Sequence, residues 1–213
     1  MAESLDRRQQ IIGAAAASFA SRGVAATTVR QIADEVGILS GSLYHHFDSK
    51  EAIVEAILGP YLEDLRRRYA EVLTGDSDPA TRLRNLVRAS LETAAAHPHA
   101  TEIYQNDVNY LRGLARFHYL KDVAREVQSA WLSVIEAGVD SGAFRTDIDT
   151  RVFYRFIRDA VWLSVRWFHP TPEYPTSRLA DQCTAIFLDG LADRRAAAPD
   201  RADTTEPAPV AAG

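Results

Sequence analysis

Apolar residues recur along this chain at intervals of three and four and almost nowhere at intervals of two, the signature of helices sharing a packed core. Ile11, Ile12, Ala15, Ala16 and Phe19 fall on one side of a first helix, and Val29, Ile32, Ala33 and Val36 on one side of a short second one. Gly37 follows, suited to the left-handed turn that closes a helix. Ile38 and Leu39 are placed to pin that turn, and Ser40 to cap a third helix that carries Leu43 and Phe47 inward. Thr28-Val29-Arg30-Gln31 has the form of a capping box, with Thr28 bonding first-turn amides and Gln31 reaching back. Asp48-Ser49-Lys50-Glu51 has the same form.

Past residue 50 the helices lengthen. Asp78-Pro79 sets a cap before a proline at the first helical position, where its missing N–H costs nothing. Leu83, Leu86, Val87, Ser90, Leu91 and Ala94 then share one face. A helix from about Leu120 to Ala137 turns Val123, Val127, Trp131, Val134 and Ile135 inward, and Gly138 and Gly142 break the chain before Phe144. The helix over about 149–168 is apolar nearly all round and is expected to be buried on most sides. Pro170, Pro172 and Pro175 end it, and a last helix over about 176–192 carries Leu179, Ile186, Phe187 and Leu191. Pro60, after Ile53, Ile57 and Leu58, either kinks a helix that links the two halves or begins a second one. From Arg194 the chain has three prolines and no aromatic residue, a composition that favours disorder. The pattern gives an all-α chain with a helix-turn-helix unit over 1–50, a larger helical domain over 51–193 and a disordered tail over 194–213.

Composition narrows the class. A chain of 213 residues, 46% hydrophobic, buries a sizeable core without staples. It has no uncharged apolar run of about 18 residues to span a membrane, and its polar N-terminus lacks a signal-peptide stretch. Cys183 is the only cysteine. It excludes a disulfide framework or a cysteine zinc site, points to a reducing cytoplasm, and is expected to be buried rather than reactive. His45-His46 and His97-Pro98-His99 do not set two imidazoles on one helix face, so no metal site is expected. No nucleophile elbow, phosphate loop or dinucleotide fingerprint marks an enzyme.

Charge first argues against nucleic acid, since the net value is −5. The first fifty residues carry five basic and five acidic side chains, so the whole excess lies behind them. A neutral head on an acidic body weakens non-specific DNA binding and leaves affinity to specific contacts. Two short helices joined by a glycine-led turn, braced by a preceding helix, form a helix-turn-helix whose second helix enters the major groove N-terminus first. Its outward residues are Ser40, Gly41, Ser42, Tyr44, His45 and His46. Thr28 and Lys50 sit at helix N-termini suited to phosphate contacts, with Arg30 beside Thr28. Spacing alone also allows a helical hairpin within an ordinary core.

The residues themselves go further. Thr-Thr-Val-Arg-Gln-Ile-Ala-Asp-Glu-Val-Gly-Ile (27–38) and Ser-Gly-Ser-Leu-Tyr-His-His-Phe-Asp-Ser-Lys-Glu (40–51) resemble the DNA-binding signature of the TetR family of transcriptional regulators. The resemblance implies nine or ten helices, operator DNA as partner, and a homodimer through the helices at about 149–168 and 176–192. It also implies a pocket in the C-terminal domain for a small-molecule effector. Gly138, Gly142, Phe144, Arg145 and Asp147 are similar to a late loop common in that family.

Arg158, Trp162 and Arg166 stand four residues apart on an otherwise apolar helix. Guanidinium groups there need anionic partners. Asp107, Glu102 or Asp159 can supply them from within, and an anionic ligand stacked on Trp162 can supply them from outside. Ile-Tyr-Gln-Asn-Asp (103–107), containing Tyr104 and Gln105, and residues 154–167 resemble the actinobacterial TetR-type repressors of late sterol-ring degradation. That likeness implies a CoA thioester as effector, with no bound cofactor. Residue patterns alone leave open a repressor or activator that senses a free acid, a drug or a lipid.

Overall fold

The computed structural model describes residues 2–191, which are helical without a strand. The helices are α1 (Ala2–Arg22), α2 (Val29–Val36), α3 (Ser40–Leu43), α4 (Lys50–Thr74), α5 (Pro79–Ala96), α6 (Pro98–Leu111), α7 (Leu120–Asp140), α8 (Thr150–Leu163) and α9 (Thr176–Leu191). Short 3₁₀ turns lie at Ala115–Phe117 and Ser164–Arg166. The expected tail over 194–213 lies outside the described residues.

Two cores hold these helices. In the first, Ile11, Ala15 and Phe19 of α1 meet Ile32 and Ala33 of α2 and Leu43 of α3, all completely buried. That core continues into Ile53, Val54 and Leu58 of α4, Ile103 and Leu111 of α6, and Phe117, so the three N-terminal helices are bolted to the helices behind them. The second core lies between the later half of α4 and α5, α7, α8 and α9, with α5 at its centre. Val127 and Trp162 pack against both. Inside the second core the Trp131 indole N–H donates to the Tyr69 hydroxyl at 2.9 Å. That hydroxyl lies 2.6 Å from Ser90 Oγ, which in turn donates to the Leu86 carbonyl. The buried polar atoms of Trp131, Tyr69 and Ser90 thereby keep partners, as the low-dielectric interior demands.

Several expectations are met closely. Helix α2 spans the predicted residues, Asp78 caps α5 with Thr81 N–H on its carboxylate, and Val123, Trp131, Val134 and Ile135 are buried on α7. Cys183 is half-buried, and burial pushes its thiol up to about 11, which suits a packing role. Other expectations change. The cap of α4 is Ser49, accepting from Ala52 N–H, one residue later than the Asp48 box. Helix α4 runs without interruption through Pro60, so that proline does not begin a new helix; it lacks the N–H that the Ala56 carbonyl would otherwise receive. Gly138 does not break the chain but lies within α7, buried.

The largest change concerns 149–168. Helix α8 ends at Leu163, and only Phe153, Tyr154, Ile157 and Val161 are buried on it. Val152, Phe156, Leu163 and Trp167 are exposed, Phe156 to 70%. Within one chain α8 has neighbours on one side only, so its second apolar face has nothing to pack against.

Gly138 generates a sharp expectation. A Cβ there would lie 2.0 Å from Cδ2 of the buried Phe144 ring. Overpacking of this kind costs about 1–3 kcal/mol, more than the roughly 1 kcal/mol that alanine gains over glycine in a helix. Gly138→Ala is therefore expected to lower the urea midpoint. An unchanged or raised midpoint would mean that the Phe144 ring swings aside freely.

Candidate DNA-binding head and effector cavity

The head is fixed by local backbone chemistry. Thr28 Oγ1 accepts from Gln31 N–H at 3.3 Å, and Gln31 Oε1 accepts from Thr28 N–H at 2.8 Å, the capping box read from the sequence. At the other end of α2, Gly37 takes φ +72°, a conformation that a side chain would strain, and its neighbour Ile38 donates to Ala33 O. Glu35 then joins α2 to α1. Its carboxylate accepts from Ser18 Oγ at 2.6 Å and from Arg22 at 2.8 Å. The Ser18 bond first, and Arg22 second, hold this carboxyl below its ordinary range. Its hold is complete above that range and is lost only as pH falls through the lowered value.

Helix α3 is a single α-turn, and Leu43 and Phe47 anchor it in the core. With those two side chains inward, Gly41, Ser42, Tyr44 and His45 face out, while Ser40 and His46 are half-buried at the margins. Its N-cap is Leu39, with no side-chain cap bond, so Ser40 is the first helical residue and not the cap. Nor does Leu39 pin the turn: it is 80% exposed, while Ile38 packs on the core. Thr28 and Arg30 are exposed, Arg30 only loosely paired with Asp34 at 4.0 Å.

Lys50 is different. Its ammonium donates to Val24 O at 2.8 Å and to Thr27 O at 3.1 Å, so it braces the α1–α2 loop from below and is not free to reach a phosphate. Asp107 of α6 braces the same loop from the other side, accepting from Val24 N–H at 3.2 Å. Sequence reading offered Asp107 as a partner for the arginines of α8; the fold uses it here.

Behind the head, α4, α6, α7 and α8 enclose a cavity of about 630 Å³. Tyr104, Gln105, Arg158 and Trp162 all line it, as the sequence reading grouped them. Gln105 Nε2 donates to the Trp162 carbonyl, tying α6 to α8. The rings of Tyr104 and Trp162 are 6.3 Å apart, and Tyr61 stands 5.9 Å from Tyr104 and 6.5 Å from Trp162. Burial raises the Tyr104 phenol, with Arg112 opposing it, and likewise raises the Tyr154 phenol, with Arg158 opposing it.

Arg166 is not on this wall. It lies in the 3₁₀ turn after α8 and donates to Asn106 Oδ1 at 3.0 Å. Steps of four residues overshoot a 3.6-residue turn by about 40° each, so 158, 162 and 166 drift off one line even before the helix ends. The residues that share the cavity face are Tyr154, Arg155, Arg158 and Trp162, and Arg112 joins them from the end of α6. Arg155 was legible as the i−3 neighbour of Arg158; Arg112 was not, because only the fold brings it there.

Three guanidinium groups thus border the cavity, and no carboxylate lines it. Arg158 has Asp159 at 2.7 Å, its neighbour in sequence, and lies 5.7 Å over the Tyr154 ring. Among the described residues no carboxylate comes within 4.0 Å of Arg112 or Arg155, and Arg112 Nε is buried without a partner.

Residues 11–57 match the model described as bacterial regulatory proteins, tetR family, and residues 76–191 match the tetracyclin repressor-like C-terminal domain. The HTH-type transcriptional repressor KstR2 of Rhodococcus jostii is 46% identical over 87% of this chain and 91% of its own length. Its namesake in Mycobacterium tuberculosis is 42% identical over 87% and 92%. The solved structure of the ketosteroid transcriptional regulator KstR2 of Mycobacterium tuberculosis superimposes with a TM-score of 0.82, covering 88% of this chain and 95% of that one.

Lys50 and Tyr44 should separate cleanly in experiment. Lys50→Met strips a donor from two loop carbonyls and is expected to lower the unfolding free energy by about 1–3 kcal/mol. Tyr44→Ala trims an exposed ring and should leave it within about 0.5 kcal/mol while abolishing DNA binding. Chemical denaturation beside a gel shift reads both; a fully stable Lys50→Met protein would deny the bracing role.

Proposed function

The chain belongs to the TetR family of bacterial regulatory proteins, and from that membership we propose that it is a homodimeric repressor released from a palindromic operator by a CoA thioester of a steroid-derived acid. The family consists of DNA-binding transcriptional regulators, not enzymes. Among the described residues no helix is long and apolar enough to cross a membrane, and the proposed place of action is the cytoplasm.

The observation that carries the effector reading is the cavity lining. An aromatic wall of Tyr104, Tyr154 and Trp162 offers a surface for a fused-ring acyl body. Arg112, Arg155 and Arg158, without a lining carboxylate, offer donors to phosphates, and guanidinium geometry suits bidentate phosphate bonds. About 630 Å³ is within the range of sites that hold drug-sized ligands. The KstR2 relatives, among them the ketosteroid transcriptional regulator of Mycobacterium tuberculosis, support the steroid half of the reading.

The coupling route follows from α6. Tyr104 and Gln105 face the cavity, and Asp107, half a turn on, holds the α1–α2 loop of the head. A ligand that displaces α6 therefore pulls on the head directly. Operator half-sites one helical turn apart require reading heads about 34 Å apart, so a small change in head position forfeits one of the two contacts. A hundredfold loss of operator affinity corresponds to a coupling of about 2.7 kcal/mol, ordinary for allosteric proteins.

The dimer reading rests on the unpartnered face of α8 and α9. Val152, Phe156, Leu163 and Trp167 stand exposed, and so does Ile186 of α9, to 72%. Large apolar side chains left bare on these helices suit burial against a second copy about a two-fold axis.

Two experiments test these readings. Steroid-derived acyl-CoAs are expected to dissolve the operator complex in a gel shift, and Arg155→Met with Arg158→Met to raise the required concentration at least tenfold while operator binding stays intact. Equal potency of the free acids would overturn the CoA assignment. Phe156→Asp is expected to give a folded monomer by size exclusion with light scattering, and to lose operator binding; a persistent dimer would move the interface elsewhere.

A further inference from the structure

Leu39 is more exposed than any other large apolar side chain among the described residues. Five of the eight others, Val152, Phe156, Leu163, Trp167 and Ile186, lie on α8, just beyond it or on α9, where the proposed second copy of the chain accounts for them, but Leu39 sits in the head at the N-cap of α3. Its backbone serves the helix: the carbonyl accepts from Ser42 N–H at 2.9 Å and from Leu43 N–H at 3.3 Å. Its side chain does nothing for the fold. It makes no cap bond, at a position where serine, threonine, aspartate or asparagine ordinarily contributes about 1 kcal/mol.

Ser40 and Gly41 follow directly, small enough for α3 to approach a surface closely. An isobutyl group at the leading end of a helix that enters the major groove has one apolar counterpart on the base edges there, the C5-methyl of thymine. We propose that Leu39 reads a thymine methyl in each half of the operator, so that part of the sequence preference is apolar and not hydrogen-bonded. This rests on α3 being the groove-entering helix. Withdrawing one methyl-sized group from water is worth about fourfold in affinity, and about fifteenfold when both half-sites contribute.

Deoxyuridine substitution tests this directly, because it removes the methyl and leaves base pairing intact. Sites are selected from random-sequence DNA by the full-length protein, and each symmetric pair of thymines is then replaced by deoxyuridine. The wild-type chain is expected to lose about fifteenfold in affinity at one such pair. Leu39→Ala, whose melting should be unchanged because the side chain is exposed, is expected to lose that sensitivity and keep the rest of the profile; Leu39→Met should retain it. If no thymine pair shows a sensitivity that disappears in Leu39→Ala, the proposal is overturned. If the wild-type chain selects no site at all, it is the assignment of α3 to DNA that fails.

Discussion

The loop between α1 and α2 has no regular structure of its own to satisfy its backbone, and buried or half-buried peptide groups must be satisfied somewhere. Here the partners come from outside the head. Val24 and Thr27 give their carbonyls to Lys50 at the start of α4, Val24 gives its N–H to Asp107 of α6, and Thr27 Oγ1 closes on Gly23 O at 2.8 Å. The head therefore has no orientation independent of the body. A helix-turn-helix whose internal geometry is fixed by its capping box and Gly37 is aimed by two charged side chains belonging to the helices that border the cavity.

That arrangement explains why surface ion pairs matter unequally. Arg66–Glu126, Arg67–Glu71 and Arg125–Asp122 are exposed pairs, which solvent screens and which contribute little. Lys50 and Asp107, by contrast, hold backbone groups that lack alternatives, and losing either leaves a peptide group unmet. The same logic runs through the cavity in reverse. Arg112 Nε is buried with no hydrogen-bond partner. In a low-dielectric setting that is a cost, which an anionic ligand removes.

Packing divides the remaining labour. Trp162 belongs to both cores, lines the cavity, and gives its carbonyl to Gln105. A body wedged against it presses on α6 and α8 together. Since α8 also carries the exposed apolar face around Phe156, the surface proposed for pairing and the wall proposed for ligand are separate faces of one helix of fourteen residues.

The linear pattern alone determined the helical class, the bounds of α2, the turn at Gly37, the Thr28 box and the cap at Asp78. Each depends on residues within a few positions of one another, where propensity and local hydrogen bonding decide. The resemblance in 27–51 placed the chain in its family for a similar reason, since a short motif is read without knowing what surrounds it. Tertiary structure decided everything that joins distant segments. It turned Lys50 inward, took Asp107 away from the arginines and gave it to Val24, left Arg166 outside the cavity, and brought Arg112 into it. It also divided the apolar residues of 149–168 into a buried face and a bare one. Periodicity records how apolar a helix face is, but which neighbour covers that face depends on where the other helices go.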